Sequence, residues 1–314
     1  MKIIIFGGAG FIGFHLAKKL AEDKNNVITI ADNFARGELD NELKELCKQS
    51  DVNYFPFDIL KPEQFDKLNS FDYVYHLAAV NGTKNFYEHP NAVLMVNTLG
   101  TYNVLNWFCK SKCKKILFTS SSETYAGTKD KAIPTPETVA LTVEDVFNPR
   151  WSYAGSKIIG ELFVINMCRK YKKRFSIIRY HNIYGPRMGD DHVIPEFCQR
   201  IKNKETPFNI YGGIHQRAFC YVSDGVDGTI QVMESPKADG QLYHIGNPEE
   251  TTMIKLAQQM CELQNHSPTF KIHPAPEGST LRRCPDITKL KGLGYSPKVS
   301  LTEGLKKTME WYIK

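Results

Sequence analysis

Residues 2–13 read Lys2-Ile3-Ile4-Ile5-Phe6-Gly7-Gly8-Ala9-Gly10-Phe11-Ile12-Gly13. The β-branched run at 2–6 favours a strand, and glycines at 7, 10 and 13 allow a turn tight enough to expose backbone N–H groups. An amphipathic segment to about Glu22 follows, which predicts a helix starting at the turn. Strand, glycine turn and helix in that order make a cradle for a pyrophosphate, because unpaired amides and the helix dipole both favour an anion there. A glycine triplet alone is weak evidence, but its context here is right. A second strand, Val27 to Ala31, ends in Asp32. A carboxylate there accepts hydrogen bonds from the adenosine ribose hydroxyls and repels a 2′-phosphate, which favours NAD over NADP. Gly7, Gly10, Phe11, Ile12, Gly13, Asp32 and Asn33 are the expected cofactor-binding residues of this unit.

Further short apolar runs continue the alternation. Asn53 to Phe55 precedes Asp58 and Ile59, and Phe71 to Leu77 runs into Ala78-Ala79. Asp58 suits an adenine contact or a helix cap, and the small side chains of Ala78 and Ala79 let a cofactor backbone come close. Asn97 to about Lys110 reads as a helix, Ile116 to Phe118 and Phe175 to Arg179 as strands. Strands alternating with helices predict an α/β fold with a doubly wound parallel sheet of the Rossmann type. After residue 180 the alternation stops. Helices are expected near Val193 to Lys202, Asp224 to Met233, Thr252 to Leu263 and Leu301 to Ile313. Residues 1–179 thus read as the dinucleotide-binding domain and 180–314 as a smaller, irregular C-terminal substrate-binding lobe with an interleaved boundary.

The chemistry concentrates in residues 116–157. The strand at Ile116 breaks into Thr119-Ser120-Ser121-Ser122-Glu123, placing hydroxyls and a carboxylate at its carboxyl end, where ligands of open α/β sheets sit. Tyr153-Ala154-Gly155-Ser156-Lys157 opens a broadly apolar helix. Tyr153 and Lys157 share a helix face, so an ammonium beside the phenol should lower its pKa and make it a general base. Tyr125 and Lys129 have the same spacing, but Gly127, Pro134 and Pro136 predict a loop there. Gly127 to Arg150 lacks periodicity and is expected to form a wall or lid of the site.

At 314 residues and 42% hydrophobic, the chain can bury a sizeable core. Its net charge of +6 suits an anionic small molecule, and no basic run with interleaved aromatics suggests nucleic acid. Eight scattered cysteines form no zinc-type cluster and point to buried thiols in a reducing, cytoplasmic setting, with no metal expected. No apolar run approaches the ~20 residues of a membrane span.

Taken together, these motifs resemble the extended short-chain dehydrogenase/reductase family, specifically its NAD-dependent sugar-nucleotide epimerases, dehydratases and decarboxylases. The likeness rests on the glycine motif ending in Gly13, on Asp32, on Leu77-Ala78-Ala79, and on Ser121 with Tyr153 and Lys157. It extends to Asn182 with Tyr184-Gly185-Pro186, to Arg217, and to Arg283 with Asp286. The resemblance implies that Ser121, Tyr153, Lys157 and Glu123 are catalytic, with Tyr153 and Lys157 also touching the cofactor. It implies that Ser121, Ser122, Asn182, Arg217 and Arg283 bind a nucleotide-diphosphate sugar. Hydride transfer from C4 to NAD would give a 4-keto sugar, with 4-epimerisation as the expected net outcome. Release of the keto sugar, or 4,6-dehydration using Glu123, are the alternatives; a non-catalytic NAD-binding regulator is a further one. Glu123 is also compatible with a purely structural carboxylate. His181 and the Pro149-Arg150-Trp151-Ser152 run resemble a branch acting on unusual bacterial sugar nucleotides. The helices at 97–110 and 153–172 would pair with their copies in a homodimer.

Overall fold

Seven strands form one parallel sheet in this computed structural model, which describes residues 1–127, 132–275 and 279–314. They are β1 (Lys2–Phe6), β2 (Val27–Asp32), β3 (Val52–Pro56), β4 (Tyr73–His76), β5 (Lys115–Ser121), β6 (Arg174–Tyr180) and β7 (Gln241–Ile245). Their order is β7-β6-β5-β4-β1-β2-β3. The order reverses between β1 and β4, and that reversal opens a crevice at the carboxyl ends of the strands.

The isoleucine run of β1 is explained by this burial. Ile3 and Ile5 face one core with α1 (Phe11–Leu20), while Ile4 and Phe6 face the other. Successive strand residues point to opposite faces, so a strand covered on both sides must be apolar throughout. On the first side α1 contributes Phe14, Leu16 and Ala17. On the second lie α3 (Thr101–Lys110), with Val104 and Phe108, and α4 (Trp151–Lys170), with Val164 and Cys168. The intervening α2 (Asn41–Gln49) is capped by Asp40, whose side chain accepts from the Leu43 amide.

Two expectations are corrected. The alternation does not end at residue 180, because α5 (Val222–Glu234) crosses over and β7 adds a seventh strand beside β6. Gln-Leu-Tyr-His-Ile carries too many polar residues to read as a buried strand, yet His244 is fully buried within a polar network described below. The helix expected from Asn97 instead begins as a π-turn, Met95–Gly100, before α3. There the Asn97 side chain turns inward, accepting from the Val80 amide at 2.9 Å and donating to its carbonyl at 3.1 Å.

Residues beyond β6 also form the expected helices at Val193–Lys202, Met253–Leu263 and Leu301–Tyr312, together with small sheets in which Gln216–Ala218 pairs antiparallel with Glu250–Thr252 and parallel with Arg282–Arg283. All eight cysteines are free thiols. No helix among the described residues is long and apolar enough to cross a membrane.

Candidate active site

The glycine turn is packed as tightly as its sequence demands. Gly7 has a φ of +81°, and a Cβ on Gly13 would collide with the Gly7 carbonyl, so α1 starts directly against the end of β1. The first turn of α1 carries no side-chain cap and no acidic residue, which leaves its amides facing the crevice for an anion. Asp32 closes β2, its carboxylate accepting from the Ala9 amide at 3.0 Å and the Phe34 amide at 2.8 Å. Burial raises its pKa against the pull of those amides.

A cleft of about 470 Å³ runs along the strand ends, within the range usual for small-molecule sites, roughly 300–1,000 Å³. Gly7, Gly10, Phe11, Ile12, Gly13, Asp32 and Asn33 line it from the β1–β2 side; Asp58, Ile59, Leu77, Ala78 and Ala79 line it from the next two strands. Asn33 and Asp58 also hold their own loops, accepting from the Ala35 amide at 3.1 Å and the Leu60 amide at 2.9 Å. Uncapped amides, an anchored carboxylate at the end of β2 and a cleft passing both fit a dinucleotide.

The same cleft is lined by Ser121, Ser122, Glu123, Tyr153, Lys157, Asn182 and Arg283. Ser121 ends β5 on the same wall as the Tyr153 phenol, and its hydroxyl accepts from the Glu123 amide at 3.1 Å. Phe86 stacks on Tyr153 with ring centres 4.8 Å apart and planes 18° from parallel. Lys157 donates to the Thr119 carbonyl at 2.9 Å, with its ammonium 5.8 Å from the Tyr153 ring centre.

The electrostatics differ from the expectation for this pair. Burial pushes the Tyr153 phenol up to about 12, the nearby Ser121 hydroxyl opposing and the Glu123 charge adding. Burial also pulls Lys157 down to about 8. Taking charged forms out of water costs more here than one ammonium, already committed to Thr119, returns.

Glu123 sits between two cations. Its carboxylate accepts from Arg283 Nη1 at 2.5 Å and lies 3.5 Å from Arg150 Nη2. Burial works to raise its pKa, but the Arg283 and Arg150 charges outweigh it and leave the carboxyl below its usual range. Asn182, at a φ of +41°, donates to the Ala218 carbonyl at 2.9 Å. Arg217 is not on the cleft wall. Its guanidinium instead donates to the Thr280 carbonyl at 2.6 Å and the Gln216 carbonyl at 2.8 Å, supporting the strand pair that presents Arg283.

Tyr125, the first member of the decoy pair, lies in a 3-10 turn and is absent from the wall; its phenol meets His244 Nε2 at 2.7 Å. Lys129 lies outside the described residues. The sequence offered no signal for Phe86 or for Arg36, which reaches from the β2–α2 loop to the Asn81 carbonyl at 2.6 Å. Arg150 stands in a run that the sequence marks only by its likeness to a branch acting on unusual bacterial sugar nucleotides, because its partner Glu123 is remote in sequence.

A crevice at the reversal of a parallel sheet, with an uncapped glycine turn, an acidic β2 terminus and a Ser–Tyr–Lys group, defines a dinucleotide-dependent enzyme of the short-chain dehydrogenase/reductase type. The model of the NAD dependent epimerase/dehydratase family matches residues 3–246, and the chain belongs to that family. It is an NAD-dependent enzyme. It is 37% identical to UDP-glucuronic acid decarboxylase 5 of Arabidopsis thaliana over 309 residues, 97% of this chain and 87% of the relative. It is 36% identical to the UDP-N-acetyl-alpha-D-glucosaminuronate decarboxylase of Bacillus cytotoxicus, covering 99% of this chain and 97% of that one. Among solved structures, the UDP-glucuronic acid 4-epimerase of Bacillus cereus in complex with UDP-glucuronic acid and NAD superposes with a TM-score of 0.87. The identity there is 25%, over 99% of each chain.

Proposed function

We propose that the protein oxidises C4 of a UDP-linked hexuronic acid, and that the resulting 4-keto acid loses carbon dioxide before C4 is reduced again. The observation that carries this reading is Glu123 held by Arg283 and Arg150 beside Ser121. Arg283, on the cleft wall and sharing Glu123 with Arg150, which does not line the cleft, suits a substrate whose sugar, as well as its diphosphate, is anionic. The two decarboxylase relatives support the reading, being named for uronic acid sugar nucleotides.

Tyr153 removes the proton of the C4 hydroxyl, and Ser121 holds the same oxygen by a hydrogen bond. NAD, held by the glycine turn and Asp32, would supply the acceptor for the C4 hydride and the donor for the final reduction, and its positive charge would favour the phenolate that buried Tyr153 alone resists. Lys157, fixed on Thr119, keeps a cation beneath the phenol. In the 4-keto sugar the carboxylate stands β to a ketone, so the C5–C6 electron pair moves into the carbonyl as carbon dioxide departs, without a further base. Ser121 and Tyr153 then stabilise the enolate oxygen, C5 takes a proton from water, and Tyr153 gives back the C4 proton.

Incubation with UDP-glucuronic acid, UDP-N-acetylglucosaminuronic acid and UDP-glucose, read by mass spectrometry and NMR, tests this. Release of carbon dioxide from a uronate is expected. Inversion at C4 without mass change would favour a second reading, 4-epimerisation, to which the likeness to the Bacillus cereus epimerase lends support. Inertness toward both uronates would defeat the proposal.

In this reading residues 1–179 hold NAD while Asn182 and Arg283 bring the second part of the chain onto the sugar nucleotide. We also propose a homodimer: Leu94, Met95, Leu99 and Tyr102 before and on α3, with Ile159 and Leu162 on α4, are exposed apolar residues suited to a second copy.

A further inference from the structure

Behind the cleft lies a buried polar network that the chemistry above does not use. Arg179, on β6, presents a two-pronged contact to Glu161 of α4, Nε to Oε1 at 2.8 Å and Nη2 to Oε2 at 2.6 Å. Glu161 also accepts the Ser120 hydroxyl at 2.5 Å. The remaining Arg179 nitrogen, Nη1, donates to the Tyr125 phenol oxygen, and that phenol meets His244 Nε2 at 2.7 Å. His244 Nδ1 lies 3.1 Å from the Asp286 carbonyl.

The proton inventory of this chain closes in one direction. Arginine only donates, so the Tyr125 oxygen accepts from it and the phenolic hydrogen is left for His244 Nε2. His244 is therefore neutral, with its own hydrogen on Nδ1 donated to Asp286. Burial and the Arg179 charge, which pull His244 down to about 3, agree with that tautomer. Every arm ends near a residue of the cleft. Ser120 adjoins Ser121, Tyr125 shares the 3-10 turn of Glu123, Glu161 is one helical turn beyond Lys157, and Asp286 closely follows Arg283. Arg179, Glu161, Tyr125 and His244 do not themselves line the cleft.

We propose that Arg179, with Glu161 and Tyr125, is a positioning group that sets the distance between the β5 terminus, α4 and the segment bearing Arg283. A buried ion pair is a poor source of stability, since desolvating both charges offsets most of their attraction. Its directional fork fixes a register between β6 and α4 that the apolar packing of Phe118, Val164 and Ile177, being non-directional, leaves free to slide. A displacement of about 1 Å at reacting atoms is enough to cost on the order of 100-fold in rate.

The inference concerns the geometry of the site whichever sugar it takes, and its test has one arm that needs no substrate. In the full-length protein, Tyr125→Phe removes one hydroxyl and leaves the packing intact. Arg179→Met with Glu161→Leu removes both charges together, so neither is left buried and unpaired. Amide exchange is followed by mass spectrometry alongside thermal melting, NAD affinity, kcat and KM. The proposal expects exchange at residues 121–125 and 282–286 to speed up about tenfold or more, with β1 and β2 unchanged. It expects kcat to fall about tenfold for Tyr125→Phe and about 100-fold for the double variant, with NAD affinity preserved. Unchanged exchange at both segments overturns it, as does uniform acceleration across the sheet, which would assign the network to fold stability alone. Local loosening with kcat unaltered overturns it too. If the parent turns over neither uronate, the proposed substrate is at fault and the exchange arm still decides on the network.

Discussion

Arg283 Nη1 donates to Glu123 Oε1 at 2.5 Å, joining residues 160 positions apart across the mouth of the cleft. The contact sets a proposed ligand-binding arginine against a carboxylate, so a substrate that takes Arg283 must compete with Glu123. Arg283→Ala should raise KM for the proposed UDP-sugar substrate by roughly 30-fold, about 2 kcal/mol, the scale expected when a partly buried charge pair loses one member. Arg217→Ala, away from the cleft wall, should weaken binding less. Initial rates and titration with UDP compare the two; equal losses would count against the proposed role of Arg283.

Replacing Tyr153 by Phe should lower kcat by about 100- to 10,000-fold while leaving NAD affinity within a factor of about three, because only the proton-transferring oxygen is lost. The Phe86 stack keeps the ring in place. Retention of most activity would remove Tyr153 from the proposed mechanism.

Lys157 yields a pH-dependent stability prediction with a definite sign. Its folded-state pKa, about 8, lies below the ordinary 10.5, so between these values the unfolded chain binds more protons and stability rises with pH. Below about pH 8 the buried ammonium costs the fold about 3 kcal/mol. Lys157→Met should therefore gain most over the parent below that pH, and the gain should vanish as pH approaches 10.5. Denaturant unfolding across the range measures the difference, and a pH-independent gap would refute the assignment. The variant should also be nearly inactive.

Glu123 behaves oppositely. Its pKa is lowered in the fold, so its stabilising contribution is complete above the ordinary carboxylate range and is lost as pH falls through the lowered value. The melting temperature of Glu123→Gln should trail the parent at neutral pH and converge with it in acid. Convergence at neutral pH instead would mean that the Arg283 and Arg150 contacts stabilise nothing.

Leu162, 54% exposed on α4, tests the proposed homodimer. Leu162→Glu should shift the protein from dimer to monomer in sedimentation at micromolar concentration, since a charge on an apolar contact face is left without a partner. A parent that sediments as a monomer would end the proposal.

The legible parts of the molecule were those whose chemistry is local. Gly7, Gly10 and Gly13 fall within one turn, Asp32 ends the next strand, and Tyr153 and Lys157 are a helical turn apart, so spacing alone fixes which groups face together. The edge strand β7 was not legible because its polar His244 is satisfied by Tyr125 and Asp286, partners the sequence does not reveal.

What the sequence determined by itself, then, was the alternation of strands and helices through β6, the dinucleotide cradle and the Tyr–Lys pair, all consequences of backbone periodicity over a few residues. Only the tertiary structure decided that Phe86 covers Tyr153, that Arg283 and Arg150 meet Glu123, and that burial dominates the phenol's pKa. Those facts depend on strand order and loop paths, which bring distant side chains together and remove the water around them.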